Sequence, residues 1–276
     1  MMPGADGEAG DLASSPDEFI ALAKALADAA RPIALKHFRS PLAIDSKADD
    51  SPVTIADRDT EAAMRTLIEA TFPDHGILGE EHGSERTDAE YVWVLDPIDG
   101  TQSFATGKPL FGTLIALARH GRPILGVIDM PALGERFIGI AGQHTVFDGA
   151  AISTRRCANL ADAWLYATSP QMFPTGDFEA FEGLRKSCRR AIYGGECYAY
   201  GLLAAGHVDL VVESTMQPYD YAALVPIVEG AGGVISDWNG RPLTLASDGR
   251  VLAAGDAALH TLAGRALVGD AQFTAR

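Results

Sequence analysis

Cysteine is scarce in this sequence and has no pattern. Cys157, Cys188 and Cys197 are three thiols in 276 residues, with no C-x-x-C pair among them. A zinc ribbon or a redox pair therefore has nothing to build it, and the three read as reduced thiols of a cytoplasmic protein. Long apolar runs are missing as well. None approaches the roughly 18 residues of a membrane span. The opening MMPGADGEAGDLASSPDEF carries acid, Gly and Ser where an export signal needs a basic and then an apolar segment. Positive charge is the third shortage. Lys and Arg number 22 against 37 Asp and Glu, a formal charge of −15, and such a field repels nucleic acid and anionic membrane alike. No G-x-G-x-x-G, G-x-x-x-x-G-K-[ST] or G-x-S-x-G occurs, so dinucleotide binding, P-loop chemistry and a serine elbow are unsupported. The seven histidines show no ligand spacing.

What remains suits a large core. A 47% hydrophobic, 21% charged chain of this length makes one large domain or two ordinary ones. After an expected disordered tail over residues 1–15, SSPDEFIALAKALADAARPIALKHF predicts a helix with Ser15 as N-cap and Phe19, Leu22, Ala23 and Leu26 on one face. A second helix is expected from about Asp57 through Met64, Leu67 and Ile68, ended by Pro73. GILGEE and YVWVLD then read as buried strands that close on acids. The segment from GTLIALARH to TVFDG reads as an antiparallel meander with turns at HGRP and MPALGE. Beyond about Gly149 strands and helices alternate. AWLYAT, RRAIYG, VDLVVE, GGVISDW and VLAAG are the strands, and the helices lie around Phe178 to Lys186, in GECYAYGLLAAG, in YAALVPIVEGAGG and after Asp256. This predicts an α+β half over residues 16–149 and an α/β half over 150–276, closely apposed.

Four acidic islands interrupt the apolar pattern: Asp57 in VTIADRD, Glu80 and Glu81 in LGEEHG, Asp96 and Asp99 in LDPIDGT, and Asp220 in QPYDYAAL. Singly, each has an ordinary reading as cap, turn or solvated loop. Together they form an oxygen-only set, which suits a hard cation such as Mg²⁺. Pro97 and Gly100 are expected to hold DPIDGT in a turn that points Asp96 and Asp99 inward together. A helix starting after Thr101 would leave the amides of Gly100 and Thr101 facing an anion. Cations beside an anion pocket suggest metal-assisted attack on a phosphate.

In order, VTIADRDTE, GEEHG, WVLDPIDGTQSF and YDYAALVPIVEGAGG resemble the motifs of the inositol monophosphatase family of Mg²⁺-dependent, lithium-sensitive phosphatases, over nearly all the chain after the first helix. The resemblance implies a layered αβαβα sandwich of mixed α/β class, two or three Mg²⁺ ions with Mn²⁺ as a substitute, a small phosphorylated substrate and a homodimer. By that similarity Glu80, Asp96, Asp99, Asp220 and the carbonyl of Ile98 are metal ligands. Asp57 and Thr101 handle the attacking water together with Glu80, and Gly100, Thr101, Glu196, Glu213 and Asp220 face substrate. Within the family, GGECYAYGLLAAGHVDLVVE is similar to histidinol-phosphate phosphatases. Inositol phosphatases usually have a small residue in place of Glu196 and Trp in place of Tyr219, whereas Gln102 stands where many histidinol-phosphate enzymes have a basic residue. A carboxylate at the alcohol end would favour a cationic alcohol. Glu196 is expected in the first turn of its helix, a position that the dipole alone also favours for an acid. Inositol phosphates, sugar bisphosphates, nucleotide 3′-phosphates and a cation-binding scaffold remain the alternatives.

Overall fold

Proline at the first helical position and acids in the first turn start α1 (Pro16–His37), whose Phe19, Leu22, Ala23 and Leu26 are buried along one stripe, as the pattern predicts. The protein is seen here as a computed structural model that describes residues 16–40, 45–46, 52–53 and 55–274. Ser15 and the expected tail lie outside the described residues. A short hairpin, β1 (Asp45–Ser46) with β2 (Pro52–Val53), leads into α2 (Ile55–Thr71), which begins slightly before the expected Asp57. The chain continues through β3 (Gly76–Gly79), β4 (Ser84–Glu85), β5 (Tyr91–Asp99), α3 (Thr101–Ala105), β6 (Gly112–Arg119), β7 (Arg122–Met130), β8 (Glu135–Ile140), β9 (Val146–Phe147) and β10 (Ala150–Ala151). These strands form one eight-stranded sheet in the order β10-β9-β8-β7-β6-β5-β3-β4. The predicted meander is β6 to β9, β5 adds to it antiparallel to β6, and β3 joins parallel to β5.

After it come β11 (Trp164–Ala167), α4 (Thr175–Ser187), β12 (Arg190–Tyr193), α5 (Tyr198–Ala204), β13 (Leu210–Glu213), α6 (Pro218–Tyr221), α7 (Leu224–Gly230), β14 (Val234–Ser236), β15 (Val251–Ala254) and α8 (Ala257–Val268). The second sheet has five strands in the order β12-β11-β13-β15-β14, with β11 parallel to both its neighbours and β15 antiparallel to both of its own. YAALVPIVEGAGG, expected as one helix, is two. Pro226 has no N–H to bond the carbonyl one turn back at Ala222, and the helix restarts at Leu224 with Pro226 in its first turn, where proline is tolerated.

Side-chain alternation on the strands explains the layering. On β5, Trp93 and Leu95 pack with α1 and α2, while Val92 and Val94 pack with α5 and α7. On β13, Val211 joins that middle layer, and Leu210 and Val212 face α4 and α8. Both sheets are covered on both faces, so their strands read as continuous apolar runs, and the stack is α-β-α-β-α. Each fully buried aliphatic or aromatic side chain contributes about 1.5–3 kcal/mol. Gly126 and Gly139 pair across β7 and β8, and a Cβ on either would overlap the backbone at Ala223 or Pro226. The missing side chains let α7 sit directly on the sheet, which brings α6 against β5 and β6.

Candidate active site

Parallel register sets the first two acids side by side. Gly79 pairs with Leu95, and the Glu80 amide extends the ladder by donating to the Leu95 carbonyl at 3.2 Å, so Glu80 leaves β3 next to Asp96 on β5. Beyond Asp96, β5 gains a residue. Asp96 pairs with Leu114 and Asp99 with Gly112, so three steps on β5 match two on β6. Residues three apart on a regular strand point to opposite faces; the bulge restores the parity and turns both carboxylates to the middle layer. The expected turn is corrected accordingly. Pro97 to Asp99 stay in the strand, and the chain turns only at Gly100, whose φ of 84° is left-handed. Pro97 offers no amide and is accommodated in the bulge, and its carbonyl accepts Thr113 Oγ1 at 2.8 Å.

Asp220 arrives on α6. It caps that helix, its Oδ2 accepting the Gln217 amide at 2.7 Å. Gln217 is the N-cap, so Asp220 closes a capping box from the third helical position rather than being a plain N-cap, and the site is added to that role. Asp96, Asp99 and Asp220 each present an oxygen within 4.8 Å of the others. Burial, then Glu80, Asp99, Asp220 and Asp57, push the Asp96 carboxyl well above its usual range. Burial raises Asp99 to about 6 against hydrogen bonding from Cys197, whose amide donates at 2.7 Å, and burial also raises Asp220. Asp96 Oδ1 is buried without a hydrogen-bond partner. Like-charged oxygens held this close in low dielectric call for a cation, and an all-oxygen set fits Mg²⁺ or Mn²⁺.

Of these acids Asp99 lines a cleft of about 650 Å³, whose wall also includes Gly100, Thr101, Gln102, Thr168, Ser169 and Glu196. Helix α3 starts directly after Gly100, as the anion-pocket reading requires, though it runs for only five residues. Thr101 Oγ1 donates to the Ile98 carbonyl at 3.2 Å, which leaves the hydroxyl lone pairs to accept from another donor. Asp57 lies buried in the first turn of α2, close enough to act on Asp96 through its charge.

Glu196 is not in a helix. Its φ of 47° is left-handed and the helix begins at Tyr198, so the acid stands just before the first turn rather than in it. Its Oε1 accepts the Ser103 hydroxyl and lies 3.6 Å from Lys108 Nζ, and its Oε2 is buried without a hydrogen-bond partner. Glu213 sits deeper, at the end of β13. The Thr168 amide donates to it at 2.8 Å and Tyr200 Oη at 2.9 Å, and burial raises it to about 7 against those bonds. Ser103, Lys108, Thr168 and Tyr200 carried no signal in the sequence, because each acts through a partner that only the fold brings near.

This layered molecule gathers carboxylates from the end of β3, from β5 and from α6 beside the start of α3, an arrangement suited to metal-assisted phosphate chemistry. It belongs to the inositol monophosphatase family, which it matches over residues 15–270. The chain is 50% identical over 253 residues to the bifunctional phosphatase IMPL2, chloroplastic, of Arabidopsis thaliana, spanning 88% of this chain and 73% of that one. It is 37% identical over 241 residues to a histidinol-phosphatase of Chlorobaculum parvum, spanning 87% and 92%. Among solved structures, an inositol monophosphatase from Zymomonas mobilis matches with a TM-score of 0.85 at 50% identity, over 92% of this chain and 99% of that one. Among the described residues, no helix is long and apolar enough to cross a membrane.

Proposed function

We propose that the protein is a Mg²⁺-dependent histidinol-phosphatase, which hydrolyses L-histidinol phosphate to L-histidinol and phosphate in histidine biosynthesis. Glu80, Asp96, Asp99 and Asp220, with the Ile98 carbonyl, would hold the ions, which supply positive charge to the phosphate oxygens and acidity to a bound water. The Gly100 and Thr101 amides would face the phosphate. Thr101, whose own proton is directed to Ile98, would accept a hydrogen bond from the attacking water, and Asp57 would take the water's proton. Glu213 would shape the alcohol end by holding Thr168 through its amide.

The observation that carries the substrate choice is Glu196, 8% exposed in the cleft wall, with Oε2 lacking a hydrogen-bond partner. Leaving a buried acceptor unsatisfied costs about 1–3 kcal/mol, more when it is charged, and an ammonium or imidazole N–H arriving with substrate would satisfy it. The likeness to the histidinol-phosphatase of Chlorobaculum parvum supports the same choice. The 50% identity to the Zymomonas inositol monophosphatase favours a second reading, inositol 1-phosphate. Phosphate release measured in parallel from histidinol phosphate, inositol 1-phosphate, fructose 1,6-bisphosphate and adenosine 3′,5′-bisphosphate tests both. Histidinol phosphate should have the highest kcat/KM. Preference for inositol 1-phosphate would transfer the assignment, and turnover of none would leave a cation-binding scaffold. The same reading includes a cytoplasmic homodimer, which sedimentation can check for its oligomeric part.

A further inference from the structure

The loop that carries Glu80 is fastened to α2 by one buried carboxylate. Glu61 is 0% exposed and lies one helical turn beyond Asp57. Its Oε2 accepts the Glu81 amide at 2.7 Å and its Oε1 the His82 amide at 3.1 Å. Arg65, one turn further and 6% exposed, donates to Glu61 Oε1 at 2.7 Å, reaches Glu85 at 3.1 Å and donates to the Gly83 carbonyl. The loop closes on itself through the Gly79 amide, which donates to the Gly83 carbonyl at 3.0 Å. A Cβ on Gly79 would overlap the Glu61 carboxylate, so the glycine lets the strand end press against it.

Burying a carboxylate and a guanidinium together is rarely the best way to stabilise a core, since well-packed apolar residues often do as well or better. What the pair supplies is direction. Asp57, Glu61 and Arg65 lie along one face of a single helix at four-residue spacing, so α2 holds Asp57 at one point and the Glu80 loop at the next two. We propose that Glu61, held in turn by Arg65, is the positioning residue of the metal site. It fixes Glu80 relative to Asp57 by clamping the two amides that follow Glu80. The inference rests on the metal-dependent reading above.

Mn²⁺ titration of EDTA-stripped protein, with free Mn²⁺ followed by electron paramagnetic resonance, tests it beside hydrogen exchange at the Glu81 and His82 amides. Glu61→Gln should weaken Mn²⁺ by roughly 10- to 100-fold, the range for groups that orient a metal's ligands. It should also speed exchange at both amides, while KM for the phosphate ester at saturating metal stays close to wild type. A merely structural Glu61 would lower the unfolding temperature and leave the Mn²⁺ affinity of the folded protein unchanged, which would overturn the inference. If Glu61→Gln does not fold, Arg65→Met decides: a weaker Mn²⁺ site supports the clamp, and an unaltered one overturns it. Wild-type protein that bound no Mn²⁺ would instead bring down the metal-dependent reading itself.

Discussion

Asp209 and Asp96 are equally buried, each 2% exposed, and the fold treats them in opposite ways. Arg155 grips Asp209 through two bonds of 2.7 Å, and the Trp164 amide adds a third at 2.8 Å. Asp129 is held in the same way by Arg31 and Arg136. At Asp177, burial pushes the pKa up, yet the bonds from Arg250 and Ser214 bring it below the ordinary carboxylate value. Around Asp96 the strongest charges are Glu80, Asp99, Asp220 and Asp57, all of its own sign. Among the described residues, no basic side chain forms an ion pair with Asp96, Asp99 or Asp220. Among the described residues, arginines thus sit on Asp129, Asp177 and Asp209 and none on Asp96, Asp99 or Asp220.

The largest expected effect breaks this comparison at its two poles. Asp96→Asn keeps the side chain's shape but removes charge that bound cations would need, so turnover should fall by roughly 10³ or more. The unfolding temperature without metal should hold or rise, because a repelling carboxylate is gone. Asp209→Asn should do the reverse, costing on the order of 2–3 kcal/mol through the weakened Arg155 pair with kcat per folded molecule unchanged. Unfolding curves in EDTA, with activity at saturating Mg²⁺, separate the two, and equal destabilisation by both variants would erase the distinction.

Thr101 and Glu196, both in the cleft wall, sharpen it. Thr101→Ala should lower kcat by roughly 10²–10⁴, with a smaller change in KM, if the hydroxyl positions the water. Normal turnover would reduce Thr101 to a helix-start residue bonded to Ile98. Glu196→Ala should cost histidinol phosphate about 10- to 150-fold in kcat/KM, the equivalent of one charge-assisted hydrogen bond, and change inositol 1-phosphate little. An equal loss for both esters would make Glu196 a support for Ser103 and Lys108 rather than a selector.

These two poles were unequally legible in the sequence. Acids that end apolar runs, as Glu80 and Asp96 do, announce themselves, since a carboxylate in such a setting needs a reason. Alternation on β5 and β13 likewise reads straight through to the layers. The bulge that brings Asp99 round to the side of Asp96 does not, because one extra residue in a strand leaves no compositional mark when the residue is Pro or Ile. Glu196 was expected in a helix, and its left-handed backbone follows from a turn that Gly194 and Gly195 permit but do not dictate. Partners such as Ser103 for Glu196, 93 residues apart, or Arg155 for Asp209, 54 apart, are set by packing and have no local pattern.

The smallest effect concerns pH, and it reads the uncompensated charge directly. Asp96, Asp99 and Asp220 all have folded-state pKa values above the ordinary 3.8, Asp99 reaching about 6, and Glu213 rises from 4.5 to about 7. A folded protein with raised carboxyl pKa values holds protons that the unfolded chain has already released, so it is favoured at low pH and loses stability as the pH climbs through those folded values. Asp177, with its pKa lowered, has the opposite sign and matters only as the pH falls below the ordinary carboxylate range. In EDTA the melting temperature should therefore decline between about pH 4 and pH 7. Asp96→Asn should flatten the decline, and Asp209→Asn should leave its slope alone. If Mg²⁺ binds the ionised cluster, it should restore more at the upper pH than at the lower, with about 2.7 kcal/mol available at a hundredfold excess over Kd. A Mg²⁺ shift of the same size at both pH values would mean that the cleft acids are already ionised at the lower one, screened like any surface carboxylates. The contrast with the arginine-held acids would then lose its electrostatic basis.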